Sequence, residues 1–407
     1  MVRSRPRYPL ASLAAGAAAL LAATLPAAAQ GQGPVKIGIL NDQASVYSSI
    51  TGEGSVVAAR LAIEDIGGSL LGKPVEIVVA DHGHKPDVGS AIARRWFDTE
   101  GVGAIFDIYS SGVALAVQRV AEDKGKVLVV SMASSGLIGG KQCSPNGMQW
   151  ANDGYEVAKL TTSGGGQAAD STWFFLTVDY AAGHSIEADA TKMITAGGGK
   201  VLGAARFPLG TPDFSSFLLR AQQSGAKKIG FIGGGADMTN SIKQADEFGI
   251  RASGQRFVPF SLTTVDVYGV GSKVSAGMPV VLSFYWDENE ETRRWSERFQ
   301  KAAGRMPSDP QANVYSAVLH YLKAIKAAGT TDTAAVLSKM KETPVEDFFT
   351  KGARLRADGR LMRDVYYAEV KAPDQMKGKD DLLTLVRKVK GEEAFIPAVE
   401  SECRLLK

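Results

Sequence analysis

The sequence contains few groupings of residues that could catalyse a reaction. His82 and His84 form an H-x-H pair, a spacing that some metal ligands share, but no further histidine or cysteine lies nearby, so a solvated loop is favoured. The glycines at 233–235 resemble a dinucleotide-binding turn, yet Met238 stands where the G-x-G-x-x-G pattern needs glycine. The run at 134–136 lacks the G-x-S-x-G pattern of an esterase. The sequence therefore predicts no metal, no cofactor and no enzyme.

Hydroxyl-bearing side chains recur in another setting, after the predicted strands. A buried carboxylate ligand needs hydroxyl groups and free backbone N–H groups at helix starts. Any single serine or threonine is more often a helix cap, so the recurrence carries the prediction of a binding site. The segments that follow strands are 45–51, 107–111, 131–135, 179–183, 233–239 and 261–264.

Alternating strands and helices must position these segments. Residues 35–40 are typical of a buried parallel strand, and 55–66 of an amphipathic helix. Four such strand–helix units fill about the first 150 residues and a second series follows, which predicts an α/β protein with two lobes, each built on a mostly parallel sheet. Further on, period-two alternation at 352–370 around Asp358 and Gly359 predicts a hairpin.

The N-terminus is typical of an exported protein. Arg3, Arg5 and Arg7 precede an apolar run at 10–25 and small residues at 27–29, which predicts a signal peptide over residues 1–29 and a periplasmic location. The net charge of +3 equals the charge of these arginines, so the mature chain is neutral. A neutral chain argues against nucleic acid or an acidic membrane as partner.

Two cysteines, Cys143 and Cys403, are present. Because export leads to an oxidising compartment, they are expected to form a disulfide that ties the C-terminal tail to the edge of the second lobe. Two unpaired thiols are the alternative.

The segment after the signal peptide resembles a known family. Periplasmic substrate-binding proteins of the leucine/isoleucine/valine-binding (type I) family, which serve ABC importers, begin with a similar pattern. Ala44 and Val46 depart from it. The matching residues are Lys36, Ile37, Gly38, Leu40, Ser45, Tyr47, Gly52, Gly54, Ala58 and Ala62.

The resemblance implies a two-lobed fold and a ligand in the cleft between the lobes. It implies lobe one at 35–149 and 286–350 and lobe two at 150–285 and 351–407. It also implies closure on a small ligand and delivery to an inner-membrane permease, with the protein acting as a monomer. A hydrolase or amidase on a similar frame and a receptor ectodomain are the alternatives.

Two departures from the family concern the ligand. Gly234 and Gly235 replace an aromatic pair, which should leave room for a ring. The loop that carries an acid for the ligand's ammonium has only Asp266, further along. A buried ammonium without a partner is costly, so the loss disfavours an amino acid. The FYWD and CSPNGMQW segments also resemble those of relatives that bind aromatic acids. An aromatic carboxylate is therefore the expected ligand, with a branched-chain amino acid or an amide as the alternative.

Trp150, Tyr155, Tyr285 and Trp286 fall at the expected crossovers, where they could stack on a ring or simply pack the hinge. Asp237 is an alternative acidic anchor. The predicted ligand-binding residues are Tyr47, Ser110, Ser111, Ser131, Ala133, Ser134, Trp150, Asp179, Tyr180, Gly234, Gly235, Asp237 and Trp286.

Overall fold

The structure is a computed structural model that describes residue 1 and residues 33–131, 136–150, 152–164 and 171–407. Apart from its first residue, the predicted signal peptide lies outside this part of the chain. Pro34–Lys407 form one compact unit. Within the described residues, no helix is long and apolar enough to cross a membrane.

The first sheet contains six strands and is parallel apart from one short edge pair. Its strands are β1 (Val35–Asn41), β2 (Ser69–Leu70), β3 (Lys73–Asp81), β4 (Val102–Asp107), β5 (Val127–Val130) and β6 (Gly147–Gln149). They lie in the order β2-β3-β1-β4-β5-β6, with only β2 antiparallel to its neighbour. The connecting helices are α1 (Gly52–Asp65), α2 (Pro86–Asp98) and α3 (Ser111–Asp123).

Helices cover both faces of this sheet, which explains why its strands are apolar throughout. Ile37 and Ile39 on one face pack with α1 and with a later helix, α11 (Asp309–Ala328), while Leu40 faces α2 and α3. A side chain at Gly38 would collide with the ring of Trp96, so glycine lets α2 approach the sheet closely.

A second parallel sheet follows, in the order β10-β9-β7-β8. Its strands are β7 (Thr172–Val178), β8 (Lys200–Phe207), β9 (Lys228–Ile232) and β10 (Arg256–Phe260). Its own apolar clusters cover both faces. The helices of this region are α4 (Gly154–Gly164), α5 (Ala181–Ala196), α6 (Ser215–Gln223), α7 (Gly235–Glu247), α8 (Thr264–Val270) and α9 (Ser272–Ser275).

Antiparallel strands complete the fold. β11 (Pro279–Leu282) does not extend the second parallel sheet; it pairs with β15 (Val365–Val370), which pairs with β16 (Leu383–Val389). A small sheet of β12 (Val345–Glu346), β13 (Lys351–Leu355) and β14 (Leu361–Met362) holds a hairpin around the predicted turn. The hairpin is shorter than the predicted 352–370, because residues 365–370 form β15 in the other sheet. The other helices are α10 (Glu290–Ala303), α12 (Thr333–Glu342) and α13 (Gly391–Ala394).

The position of the hairpin corrects one expected boundary. Residues 351–362 were expected in the second lobe, but Ala353, Leu355 and Leu361 pack in the apolar cluster of the first sheet. The chain therefore crosses to the second region after Met362, and not before Lys351. The rest of the division into lobes stays a prediction.

The predicted disulfide is confirmed, but its expected place was wrong. Cys143 and Cys403 are bonded, with Cα atoms 5.6 Å apart and 260 residues between them in sequence. Cys143 precedes β6, the edge strand of the first sheet, so the tail is tied to that sheet and not to the second region.

Candidate functional site

The carboxyl ends of the central strands carry unusual backbone. Asp107 and Ile108, at the end of β4, have φ angles of 83° and 43°, and Ser261, after β10, has 68°. Residues other than glycine rarely adopt positive φ, and the strain costs about 1–3 kcal/mol each. Such strain clusters at functional sites, so these strand ends mark the candidate site in both sheets.

Asp42 holds the loop after β1 in a fixed shape. Its carboxylate accepts hydrogen bonds from the backbone N–H groups of Ser45 and Tyr47, both 2.7 Å, and lies 2.8 Å from Nε2 of His84. Burial acts to raise the pKa of Asp42, but the hydrogen bonds from His84 and these backbone groups outweigh it and hold the pKa below its usual value. The loop therefore presents Tyr47 from a rigid support.

The N-terminus of α11 supports the same loop from the other side. The Ser308 hydroxyl donates to the carbonyl oxygen of Ile50 at 2.9 Å, and the Gln311 amide donates to that of Thr51 at 3.2 Å. The sequence did not predict this contact because the two segments lie more than 250 residues apart.

The H-x-H pair belongs to this support, and the expectation of a solvated loop was wrong for His82. His82 is fully buried, and its Nδ1 accepts a hydrogen bond from the backbone N–H of His84 at 3.1 Å. Burial lowers the pKa of His82 to about 4, so its ring is neutral at neutral pH.

Three tyrosines meet where the first and second sheets face each other. The rings of Tyr47 and Tyr109 are 4.4 Å apart, and the hydroxyl groups of Tyr47 and Tyr180 are 2.8 Å apart. Burial raises the pKa of Tyr180 to about 12 and also raises that of Tyr47 and Tyr109, so all three phenols stay neutral. Tyr109 was missed from the sequence, although it is the aromatic residue of the segment at 107–111.

The glycines at the start of α7 have a different role from the expected one. Their open space was expected to admit a ligand ring, but protein rings occupy it: a Cβ on Gly234 would lie 3.1 Å from the Tyr109 hydroxyl, and one on Gly235 2.9 Å from Cδ1 of Tyr47. Ala236 N–H also donates to the Val46 carbonyl at 3.0 Å. The glycines therefore let the second region close on the loop after β1.

The predicted serines divide into two groups. Ser110 is the N-cap of α3, but its side chain makes no capping hydrogen bond, and Ser111 opens the helix and is buried. Ser131 donates its hydroxyl to the buried carboxylate of Asp107, so it supports the strand end. Ala133 and Ser134 lie outside the described residues.

The two predicted acids differ in burial. Asp237 is buried, and one carboxylate oxygen accepts from the Gly210 N–H at 3.0 Å. Burial raises the pKa of Asp237 to about 6. Asp179 is exposed and lies 2.8 Å from His184.

Asp266 forms part of the fold. It caps α8 with Thr263, whose hydroxyl donates to its carboxylate at 2.6 Å, and burial raises its pKa to about 7.

The tryptophans pack the crossovers. Trp150 is fully buried, packs in the apolar cluster of the first sheet and donates its indole N–H to Ser316 at 2.9 Å, which favours the alternative that it packs the hinge. Trp286 is half-buried between the clusters of the two sheets and donates to the Asp380 carbonyl at 2.8 Å.

A cavity of about 510 Å³ lies beside the tyrosine cluster, between residues 136–140 and the first half of α5. Its arginines already hold carboxylates of this chain: Arg356 pairs with Asp358 at 2.7 Å and Arg360 with Asp153 at 2.8 Å. These pairs disfavour the cavity as the place for a ligand carboxylate, because an entering anion would have to displace an internal one.

Comparison with known proteins identifies the class of this fold. The family model described as periplasmic binding protein matches residues 34–379, so the chain belongs to the periplasmic binding protein family. Leu/Ile/Val-binding protein homolog 6 of Brucella melitensis is 26% identical over 330 residues, which cover 78% of this chain and 82% of that protein.

Solved structures confirm the two-lobed type I architecture and make the chain a solute-binding protein of the kind that serves ABC transporters. A periplasmic binding protein from Burkholderia mallei is 37% identical with a TM-score of 0.89, covering 93% of this chain and 100% of its own. A branched chain amino acid ABC transporter periplasmic ligand-binding protein from Burkholderia xenovorans is 40% identical with a TM-score of 0.81, covering 92% and 100%. An R. palustris solute binding protein in complex with benzoate has a TM-score of 0.79 at 20% identity, covering 92% and 100%.

Proposed function

We propose that the protein binds a small carboxylate, with an aromatic acid as the leading ligand class, in the cleft between its two lobes. The observation that carries the proposal is the set of donors at the end of β4: the Ser110 hydroxyl makes no capping bond, and it stands at the start of α3. The first backbone N–H groups of a helix have no partner within the helix and attract anions. A carboxylate placed there would lie next to the Tyr109 ring.

The tyrosine cluster supports an aromatic partner. Tyr47, Tyr109 and Tyr180 come from both lobes and stay neutral, so together they offer ring faces and hydroxyl groups without a charge. Solute-binding proteins of this fold include one that holds benzoate.

A branched-chain amino acid is the second candidate. It is favoured by the 40% identity to the B. xenovorans protein described as a branched chain amino acid binder. Because the second-lobe loop lacks a free acid, another carboxylate must then accept the ammonium group.

Binding would act by closure of the lobes, and the closed form would be delivered to an inner-membrane permease without any covalent step. Lobe–lobe contacts such as the Tyr47–Tyr180 hydrogen bond support closure.

We also propose that the protein is exported as a monomer after residues 1–29 are cleaved. N-terminal sequencing of periplasmic protein should begin near Gln30, and protein kept in the cytoplasm would contradict export.

Calorimetry with benzoate and with leucine on the same preparation tests the ligand class. Binding of benzoate with micromolar or higher affinity, together with no binding of leucine, supports an aromatic acid as the ligand. Binding of leucine but not of benzoate would instead support an amino acid. A turnover assay with esters and amides should give no product; hydrolysis would refute a pure binding role.

A further inference from the structure

Asp309, the first residue of α11, places a buried carboxylate at the base of the cleft. Its side chain is 92% buried, since the residue is 8% exposed. One oxygen accepts from the backbone N–H of Ser283 at 3.0 Å and from the Ser283 hydroxyl at 2.7 Å. The other oxygen, Oδ2, accepts no hydrogen bond of normal geometry among the described residues, while the backbone N–H of Phe284 lies close enough to the carboxyl group to help lower its pKa. A buried carboxylate oxygen without a donor is costly, which indicates that a group from outside the chain belongs there.

We propose that Asp309 determines ligand specificity by accepting a hydrogen bond from an O–H or N–H group of the ligand, at the end away from its carboxylate. The inference rests on the proposed function, because it requires a ligand in this cleft. It goes beyond that function by assigning a second polar anchor to a residue of lobe one.

A small cavity beside Asp309 sets the size of the group that fits. The cavity measures about 20 Å³, enough for one water-sized group, such as a hydroxyl or an ammonium, but too small for a ring. Residues from both parallel-sheet regions and from the crossover line it: Leu262, Thr263, Thr264, Tyr285, Trp286, Pro307 and Asp309.

The cavity lies between the two regions that the ligand is proposed to join, because the loop after β10 and the start of α11 line it together. The negative charges of Asp266 and Asp309 act on the Tyr109 hydroxyl and, after burial and Tyr180, contribute to its raised pKa. Tyr109 directly precedes Ser110, where the ligand carboxylate is proposed to bind. We place the far end of a ligand anchored at Ser110 toward Asp309, where the cavity between the two regions lies.

The charge around Asp309 allows either kind of donor. The guanidinium of Arg363 partly compensates the carboxylate, while burial raises the carboxyl pKa. That guanidinium donates to Ser283 at 2.6 Å, to Thr350 at 3.3 Å and to Asn313, so it is engaged by the crossover and does not need Oδ2. A hydroxyl or an ammonium can thus reach the free oxygen.

Matched ligand pairs test the inference with the full-length mature protein. Calorimetry compares benzoate with 4-hydroxybenzoate, and 4-methylpentanoate with 5-hydroxy-4-methylpentanoate; in each pair the second member adds a donor group at the end away from the carboxylate. Within whichever pair binds, we expect the ligand with the donor group to bind about 10- to 100-fold more tightly than the ligand without it, as for a hydrogen bond to a charged group. In Asp309→Asn, which can still accept from Ser283 but presents an amide, the preference should fall to within about 3-fold. Asp347→Asn, a similarly buried acid that does not line the cavity, is the control and should keep the preference.

The outcomes separate the two proposals. Parent acids that bind without any donor preference, or a preference that survives Asp309→Asn, would overturn the inference and leave the proposed function standing. Failure of all four ligands would overturn both. If Asp309→Asn does not fold, wild-type protein with 4-fluorobenzoate decides the question: fluorine is about as small as a hydroxyl group but cannot donate, and affinity equal to that of 4-hydroxybenzoate would refute the inference.

Discussion

Gly235→Ala should impair closure of the lobes far more than it impairs folding. Gly235 has a φ of 60°, which costs an L-residue about 1–2 kcal/mol. Its new Cβ would collide with the Val46 carbonyl oxygen and lie 2.9 Å from Tyr47 Cδ1, both on the opposing loop. Relieving such overpacking typically costs 1–3 kcal/mol, and this cost applies only when the lobes meet. The affinity for ligand should therefore fall by about 5- to 150-fold.

Gly225→Ala provides the matched control. Gly225 has nearly the same φ, 64°, but no atom lies within 4 Å of the position of an added Cβ. Both variants should lose a similar free energy of unfolding in urea, while only Gly235→Ala should lose affinity for benzoate or leucine in calorimetry. Small-angle scattering should show that saturating ligand compacts Gly225→Ala but not Gly235→Ala. Equal affinities for the two variants would refute the contact between Gly235 and the loop after β1.

Three further predictions follow from the described contacts. Tyr180→Phe removes the hydrogen bond to Tyr47 and should weaken ligand binding by about 1 kcal/mol in calorimetry, whereas unchanged affinity would mean that the bond does not favour closure. Thiol titration of denatured periplasmic protein should find no free thiol. Cys403→Ser should lower the free energy of unfolding by up to about 5 kcal/mol, because the bridge restricts the unfolded chain. An unchanged free energy of unfolding would show that the bridge does not restrict it. Burial gives His82 a pKa of about 4 in the folded chain, against 6.5 in the unfolded chain, so the unfolded chain binds the proton first as the pH falls. The free energy of unfolding should therefore decrease by up to about 3 kcal/mol between pH 6.5 and pH 4. Urea titrations of His82→Asn should lack this part of the pH dependence, and an unaltered pH profile would contradict the burial of the ring.

The strand and helix pattern could be predicted from the sequence because apolar periodicity reflects which faces are buried. The helix predicted at 55–66 overlaps almost all of α1, and the turn at Asp358 and Gly359 lies in a hairpin. Periodicity could not assign that hairpin to a lobe, because alternation says which face is buried but not against what it packs; the assignment to the second lobe came from the family resemblance.

The site was harder to predict for a physical reason. Spacing identifies a loop at a strand end, but it does not tell whether a side chain points to the ligand or to the strand beneath. Ser131 lies in such a loop and donates to Asp107, while Tyr109 in a neighbouring loop was missed. Asp309 lies far along the chain from these loops and reaches the cleft only because α11 packs against the first sheet.

The disulfide gives the molecule one more covalent link between its halves than the chain path alone provides. After β16, which pairs with β15 beside the second parallel sheet, the tail returns to the first sheet and is fixed there by Cys143. Arg404 reinforces it through an ion pair with Glu122 of α3 at 2.8 Å. The bridge therefore adds a constraint on any movement between the two sheets, and this constraint exists only where the two thiols can be oxidised.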